Sequence, residues 1–262
     1  MERGARKLLM QAPPADLFME AVTEAVRLNK RFVPPANSGA ALYIRPLLIG
    51  TGARVGVQPA DEYMFTVFVT PVGPYFKNGL RPIRLRVEEE VHRAAPLGVG
   101  DVKAAGNYAA SMRATHSAKE QGFNDVLYLD SREGKYVDEI GAANFFGIKT
   151  INGTPTYVTP RSHSILPSIT NDSLLVMAKD LGMKAERRPI SVDELPTFDE
   201  AGCCGTAAVI APVGSIQWRN KTITYNDGQN EPGPWTARLY DALQGIRLGK
   251  VKDKHGWLVD VE

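Results

Sequence analysis

Apolar side chains recur along the chain with two kinds of spacing, and together these predict a mixed fold of helices and strands. Intervals of three and four residues predict helices over residues 16–28, 107–121, 170–181 and 235–243. Short β-branched and aromatic runs predict strands over residues 41–49, 64–69, 83–87, 126–129, 136–139, 145–149 and 208–210. Because strands dominate and helices are interspersed among them, the pattern favours the α+β class over a doubly wound parallel sheet.

A cluster of prolines and glycines interrupts this pattern in the first half of the chain. Residues 71–79 contain the densest group of residues that interrupt helices and strands in the first half of the chain, and Tyr75 and Phe76 lie within it. Breakers of this kind mark turns and linkers rather than regular elements. We therefore predict a small domain over residues 1–70, an interdomain loop over 71–79 and a large domain over 80–262.

Composition and charge narrow the classes of function that this chain can have. Hydrophobic residues make up 44% and charged residues 23% of the 262 positions, as in ordinary globular proteins. The net charge of +2 provides no field for nucleic acid or a membrane surface, and charged residues or proline interrupt every apolar run. The two cysteines, Cys203 and Cys204, are adjacent, and the four histidines show no ligand spacing. We expect no disulfide framework and no metal site, and a reducing, cytosolic type of compartment.

Two short segments combine a reactive side chain with a location beside a predicted element. Lys103 stands among alanines and glycines just before a helix, where little side-chain bulk would block a ligand. A desolvated lysine there could act as a nucleophile, although a solvated loop lysine has the same local sequence. Glu139 stands at the end of a predicted strand before a glycine. It could pair with a cationic heterocycle if buried, or it could be an exposed acid in a turn.

Two further segments could bind anions. Ile169 and Thr170 open the predicted helix over 170–181, and Thr206 and Ala207 follow a glycine in a tight turn. Free backbone N–H groups at such positions suit a phosphate, but a plain capped helix explains the first segment equally well.

Tyr43 and Arg45 lie two residues apart on one predicted strand, and therefore on one face of it. An arginine on a strand otherwise built of leucine and isoleucine needs a carboxylate or phosphate partner. The sequence leaves open whether Arg45 forms an internal ion pair or binds a ligand.

The order and the amino-acid sequences of these segments resemble those of the branched-chain amino-acid aminotransferases, a family of fold type IV pyridoxal-phosphate enzymes. Five segments carry the resemblance, and they are GDVKAAGNYAAS, DVLYLD, YVDEIGAANFF, SILPSIT and CCGTAAVIAPV. Two others fit the same family, LYIRPLLIGTG near the start and KDKHGWLVDV at the end. The resemblance implies a two-domain architecture, with a small α/β domain and a larger, β-barrel-like domain with flanking helices.

The resemblance also implies a role for each candidate residue. Lys103 matches the lysine that holds pyridoxal phosphate covalently, and Glu139 matches the acid that faces the pyridine nitrogen. Tyr108 matches the tyrosine that bonds to the ring hydroxyl oxygen, and Arg93 matches an arginine near the cofactor. Ile169, Thr170 and Thr206 match the groups that hold the cofactor phosphate.

Substrate-binding roles follow in the same way. Thr206 and Ala207 match the turn whose amides bind the substrate α-carboxylate, while Tyr43 and Arg45 match the pair that receives the glutamate side chain. Tyr75 and Phe76 fall in the loop that shields the pocket.

The reaction implied is ping-pong transamination, in which leucine, isoleucine or valine gives its amino group to 2-oxoglutarate through the cofactor. Lys103 would move a proton from Cα as general base and return it as general acid. The implied partners are amino acids and 2-oxo acids, with a homodimer in the cytoplasm and no nucleic acid, membrane or metal.

The chain departs from the family pattern in two places. Many members have a CxxC pair after the glycine turn, whereas here the cysteines precede Thr206, so we infer no redox switch. The opening residues MERGARKLLM resemble a helix that in the family follows roughly a quarter of the protein, so we expect the small domain to lack its beginning.

Two alternatives to an active branched-chain aminotransferase therefore stand. One is a truncated, inactive homologue that binds cofactor or only dimerises, and nothing in the sequence separates it from the active enzyme. The other is a relative with a changed reaction, a D-amino-acid transaminase or an aminodeoxychorismate lyase. Arg45 in its LYIRP setting and the GNYAAS segment favour the branched-chain enzyme over these relatives.

Overall fold

The computed structural model describes residues 1–36, 38–73, 80–228 and 230–261. The chain divides into two compact units. The first comprises Met1–Lys77 together with the C-terminal segment Asp253–Glu262, and the second comprises Asn78–Lys252. The grouping of the C-terminal segment with the first unit was not indicated by any pattern in the sequence.

The first unit contains a helix packed on a two-stranded antiparallel sheet. Its elements are α1 (Glu2–Lys7), α2 (Ala15–Leu28), β1 (Ala41–Gly50) and β2 (Tyr63–Val72). Phe18 on α2 stacks on Phe65 of β2 with 5.7 Å between ring centroids, and Leu48 of β1 lies opposite Phe65. Side chains alternate between the faces of a strand. Tyr43 and Arg45 therefore lie on the face of β1 that points away from α2.

The second unit is built on a mixed sheet. Its strands are β3 (Ile83–Glu88), β4 (Asp125–Leu129), β5 (Val137–Ile140), β6 (Asn144–Ile151), β7 (Thr154–Pro160), β8 (Lys184–Arg188), β9 (Glu200–Gly205), β10 (Val209–Trp218) and β11 (Lys221–Thr224). They pair in the order β5-β4-β3-β10-β9-β6-β7-β8, and β11 pairs with β10. The β10–β3, β3–β4 and β7–β8 pairs are parallel and the other pairs are antiparallel.

The sheet curls until the segments beside its two outer strands meet. Tyr136, just before β5, forms a bridge with Ser191, just after β8. Val137 N–H donates to the Ile190 carbonyl at 2.8 Å. A twisted sheet that curls enough can close on itself and enclose a core. This arrangement confirms the predicted mixed class and the barrel-like character of the larger domain.

Helices connect two of the three parallel strand pairs of the second unit. Its helices are α3 (Ala105–Glu120) between β3 and β4, α4 (Ile169–Asp180) between β7 and β8, and α5 (Pro234–Arg247) near the end. Leu174 and Met177 of α4 pack with Leu239 and Leu243 of α5 in one hydrophobic core cluster. The chain thus enters α3 and α4 through loops that follow β3 and β7. None of the described helices is long and apolar enough to cross a membrane.

The sequence predicted the helices better than the strands. All four predicted helices occur within a few residues of their expected bounds, but β7, β8 and β11 were not predicted, and β9 was interpreted only as a glycine-rich patch. β8 has the sequence KAERR, which lacks the apolar alternation of a typical strand. In β9, a side chain at Gly202 would collide with the Phe146 ring. Glycine there permits close packing at the cost of the usual strand signal.

Candidate active site

Lys103 and Tyr108 are joined at the start of α3. The Lys103 Nζ donates a hydrogen bond to the Tyr108 hydroxyl oxygen at 2.7 Å, and it lies 5.2 Å from the centroid of the tyrosine ring. Tyr108 is in the first turn of the helix, and a helical side chain points back toward the N-terminus. This direction brings the hydroxyl to the preceding loop. Both side chains are exposed, so Lys103 does not lie in the desolvated pocket that the nucleophile hypothesis invoked.

Hydrogen bonds from the Asn107 side chain hold the loop that carries Lys103. The Asn107 side-chain amide is buried and donates to the carbonyls of Val99 and Val102, at 2.7 and 2.9 Å. Gly100 in the same loop has no room for a side chain, because a Cβ would meet the Ala94 Cβ at 2.6 Å. These contacts therefore restrain the backbone of the loop at Lys103, while the amine of Lys103 remains accessible to solvent.

Glu139 is buried and paired with Arg93. The Arg93 Nη2 lies 2.5 Å from the Glu139 Oε1, and the two side chains are 6% and 7% exposed. Glu139 also accepts hydrogen bonds from the Leu166 N–H at 3.4 Å and from the Asn144 Nδ2 at 3.2 Å. The structure excludes the exposed acid in a turn, because the carboxyl is held inside the unit. Pairing with a cationic heterocycle stays a prediction.

Arg93 bridges Glu139 to the loop that follows β7. Its guanidinium donates to the Ser164 carbonyl as well as to Glu139, while its buried Nε has no partner among the described residues. The sequence predicted only that Arg93 lies near the cofactor, and the structure adds its ion pair with Glu139. Asn144 and Ser164 were missed as parts of the site, although both lie within the quoted segments YVDEIGAANFF and SILPSIT.

Burial raises the pKa of Glu139 from 4.5 to about 7. The charge of Arg93, the hydrogen bond from Leu166 and the charge of Lys103 oppose this rise, whereas the neighbouring Asp138 adds to it. The smallest of these influences comes from Lys103, whose positive charge favours the ionised form of Glu139.

We expect Glu139 to make the unliganded protein less stable as the pH rises from acid to neutral. The unfolded chain releases this proton near pH 4.5, but the folded protein retains it up to about pH 7. The stability contributed by the retained proton is therefore complete below the lower value and lost as the pH rises through the higher one. The loss is on the order of 3 kcal/mol.

Denaturant unfolding of the wild type and of Glu139→Gln at mildly acidic and mildly alkaline pH measures this contribution. The free energy of unfolding of the wild type should fall more steeply with pH, because glutamine does not titrate. Equal falls in the two proteins would contradict the raised pKa of the buried carboxyl.

The first turn of α4 presents backbone amides. Ser168 precedes the helix, and its hydroxyl oxygen accepts from the Asn171 N–H at 3.2 Å. The leading amides, at Ile169 and Thr170, are not used by the hydrogen bonds of the helix itself. The Ile169 side chain is 80% exposed, so this end of the helix is open to an incoming group.

Thr206 and Ala207 form an exposed turn between β9 and β10. The turn ends at Val209, which has a φ of 62°. A β-branched residue rarely adopts this left-handed conformation, and such residues concentrate at functional sites. Val209 is nevertheless buried, so the core fixes the end of the turn.

Tyr43 and Arg45 lie together on β1 of the first unit. The Arg45 Nη2 donates to the Tyr43 hydroxyl oxygen at 2.9 Å, and the guanidinium carbon lies 5.1 Å from the ring centroid. Within the described residues, no carboxylate forms an ion pair with Arg45. Tyr75 and Phe76, expected to shield a pocket, lie outside the described residues.

The residues that the structure describes contain no group of three or more histidine, cysteine or acidic side chains that could hold a metal ion. Cys203 and Cys204 are both buried, and burial raises the pKa of the Cys203 thiol to about 12. A buried thiol of this kind is a poor nucleophile.

Comparison with known proteins gives a consistent family. Residues 1–216 match the family described as Amino-transferase class IV. The chain is 48% identical over 268 residues to the branched-chain-amino-acid aminotransferase of Haemophilus influenzae, with all of this chain and 77% of that relative covered. It is 45% identical over 261 residues to branched-chain amino acid aminotransferase 2, chloroplastic, of Humulus lupulus, and it spans 62% of that longer relative.

A solved structure gives the same result. The branched-chain amino acid aminotransferase from Escherichia coli superposes with a TM-score of 0.80 at 30% identity. The alignment covers 99% of this chain and 80% of that structure. This likeness confirms the predicted fold type IV architecture.

Proposed function

The chain belongs to the class IV aminotransferase family, and from this premise we propose that it transfers the amino group of leucine, isoleucine or valine to 2-oxoglutarate. The relatives support this substrate class, because they are named as branched-chain aminotransferases. The observation that carries the proposal is the hydrogen bond from Lys103 to Tyr108 in the same unit as the buried Glu139. Transamination needs such an amine and such an acid.

The groups of the second unit fit pyridoxal phosphate as the cofactor. When bound, this cofactor supplies an aldehyde that reacts with amines and a pyridine ring that draws electrons from the substrate Cα. The Lys103 amine would bond to the aldehyde carbon, and the Tyr108 hydroxyl would form a hydrogen bond with the ring hydroxyl oxygen. Glu139 is buried, with partners on both carboxyl oxygens, and suits a protonated ring nitrogen. The amides that begin α4 suit the phosphate.

Lys103 has two tasks in this proposal. It would hold the cofactor covalently, and its amine would accept the proton from the substrate Cα and later return a proton. A general base must reach the proton it takes. The hydrogen bond to Tyr108 orients the amine, and the Asn107 contacts hold the loop in place.

Glu139 and Arg93 act as a pair in this proposal. Glu139 holds a proton at the ring nitrogen by presenting a negative charge to it. Arg93 favours the charged form of Glu139 and fixes the position of Oε1, so it acts on the cofactor through the carboxyl. Asn144 orients the other carboxyl oxygen, because its Nδ2 donates both to Oε2 and to the Leu166 carbonyl, at 3.2 and 3.0 Å.

Anion binding is assigned to backbone amides and hydroxyls. Ile169, Thr170 and Thr206 bind the cofactor phosphate, a task that suits a helix N-terminus and an exposed turn. Thr206 and Ala207 bind the substrate α-carboxylate.

Arg45 is assigned the glutamate side-chain carboxylate, because its guanidinium is held by Tyr43 and is free of acidic partners in the described part of the chain. Tyr75 keeps its proposed role in shielding the substrate. We also propose the domain division at residues 71–79, a homodimer and a cytoplasmic location.

Cofactor trapping followed by a turnover assay tests the function. The purified chain is incubated with pyridoxal phosphate and reduced with borohydride, and the labelled peptide is identified by mass spectrometry. We expect the label on Lys103, and amino transfer from leucine to 2-oxoglutarate. D-alanine in place of leucine distinguishes a D-amino-acid transaminase.

Each outcome bears on one part of the proposal. Label on Lys103 without turnover would support the inactive homologue and overturn the enzyme. Label on another lysine would overturn the assignment of the site, and turnover of D-alanine alone would overturn the substrate class.

A further inference from the structure

Asn171, the third residue of α4, directs its side chain into the core rather than toward solvent. It is 4% exposed. Its Oδ1 accepts from the Tyr157 hydroxyl at 2.7 Å, and its Nδ2 donates to the Thr159 Oγ1 at 2.9 Å. The Thr159 hydroxyl donates in turn to the Phe145 carbonyl at 2.9 Å. A continuous chain of buried hydrogen bonds therefore runs from the first turn of α4 through β7 to β6.

Helix formation and capping do not require this arrangement. Asparagine has a low intrinsic preference for helix interiors, and the start of α4 is already capped by Ser168. Tyr157 and Thr159 are both fully buried, so their hydroxyls would also be costly without partners. A network of satisfied buried polar groups fixes one arrangement of the packed elements more strictly than apolar packing does.

The network fixes the part of α4 that faces the proposed phosphate site. Asn171 directly follows Ile169 and Thr170, whose amides begin the helix. Its two side-chain bonds reach Tyr157 and Thr159 on one strand, and so oppose both rotation and sliding of the first turn. Amides held in advance in their binding orientation lose less entropy when an anion binds.

We propose that Asn171 is a positioning residue for the cofactor phosphate, which acts by anchoring the first turn of α4 to β7 through Tyr157 and Thr159. The inference rests on the proposed function, in which the amides of Ile169 and Thr170 hold that phosphate. Asn171 itself touches neither the phosphate nor the substrate in this proposal. Its loss should weaken recognition of the phosphate and leave the ring-binding groups Lys103 and Glu139 intact.

Two ligands that differ only in the phosphate separate positioning from general loosening. Dissociation constants for pyridoxal 5'-phosphate and for pyridoxal are measured by absorbance titration of the purified chain. The variants are Asn171→Ala and the near-isosteric Tyr157→Phe, which removes one anchor of the asparagine. Tyr225→Phe is the matched control, because it removes another buried hydroxyl, one that donates to the Leu195 carbonyl at 3.2 Å.

We expect each network variant to weaken pyridoxal phosphate binding about tenfold, the effect of losing roughly one or two net hydrogen bonds between the displaced amides and the phosphate. The dissociation constant for pyridoxal should stay within about twofold of the wild-type value. The control Tyr225→Phe should change neither dissociation constant. Equal weakening of both ligands, or an unchanged ratio, would overturn the positioning role. If Asn171→Ala does not fold, Tyr157→Phe decides the question alone. A wild type that binds neither ligand would instead contradict the proposed function.

Discussion

A Lys103→Ala variant is expected to lose amino transfer from leucine to 2-oxoglutarate by on the order of 10⁴-fold or more while keeping its fold. The substitution removes both the nucleophile that binds the cofactor and the base that takes the Cα proton, and no other amine is hydrogen-bonded to Tyr108 in the described chain. Because Lys103 is exposed, its removal leaves no cavity in the core. Initial rates of branched 2-oxo acid formation measure the loss, and thermal unfolding checks the fold.

Lys135→Ala is the matched control for this variant. Lys135 is also exposed, and its amine lies 5.4 Å from the centroid of the neighbouring Tyr136 ring. Lys135 thus also lies beside a tyrosine ring, but it lacks the hydrogen bond that Lys103 makes to Tyr108 and it is not part of the proposed active site. Activity of Lys135→Ala should equal that of the wild type. Activity of Lys103→Ala within tenfold of the wild type would remove Lys103 from the catalytic role.

A Glu139→Gln variant is expected to lower kcat by roughly 10² to 10³, a range found when one group that stabilises charge in the transition state is removed. Glutamine has almost the same shape as glutamate, but it presents no negative charge to a protonated ring nitrogen. The variant also leaves the buried Arg93 without its ion-pair partner. Steady-state kinetics with saturating cofactor measure the first effect, and thermal unfolding measures the second.

Asp138→Asn provides the comparison, because Asp138 is the preceding residue of β5 and its side chain therefore points to the opposite face of the strand. It is also buried, and burial raises its pKa. Loss of this charge should change kcat far less than loss of the charge on Glu139. Similar losses in the two variants would show that a general electrostatic disturbance, rather than contact with the ring, is responsible.

The local part of the candidate site was predictable from the sequence. Lys103 and Tyr108 are five residues apart across the start of one helix, and a helical side chain in the first turn points toward the preceding loop. The alternation of side chains along a strand likewise placed Tyr43 and Arg45 on one face. Short-range geometry of this kind follows from secondary structure alone.

The long-range part of the site was not predictable in the same way. The pair of Arg93 with Glu139 joins a loop after β3 to β5, and the contact of Arg93 with Ser164 adds the loop after β7. These contacts depend on how the sheet curls, which no spacing in the sequence specifies. Burial of Glu139 follows from the same packing, so the sequence left its protonation open. The charged strand β8 was missed because its pairing with β7, not its own composition, makes it a strand.

The joining of Tyr136 to Ser191 also bears on how the protein behaves in concentrated solution. An outer strand normally exposes a row of free amides and carbonyls, which can template the strands of another molecule. Here hydrogen bonds between the segments beside β5 and β8 satisfy part of that row within the same chain. Lys184, Glu186 and Arg188 place charge along β8 as well. The same curl that encloses the core thus discourages edge-to-edge aggregation.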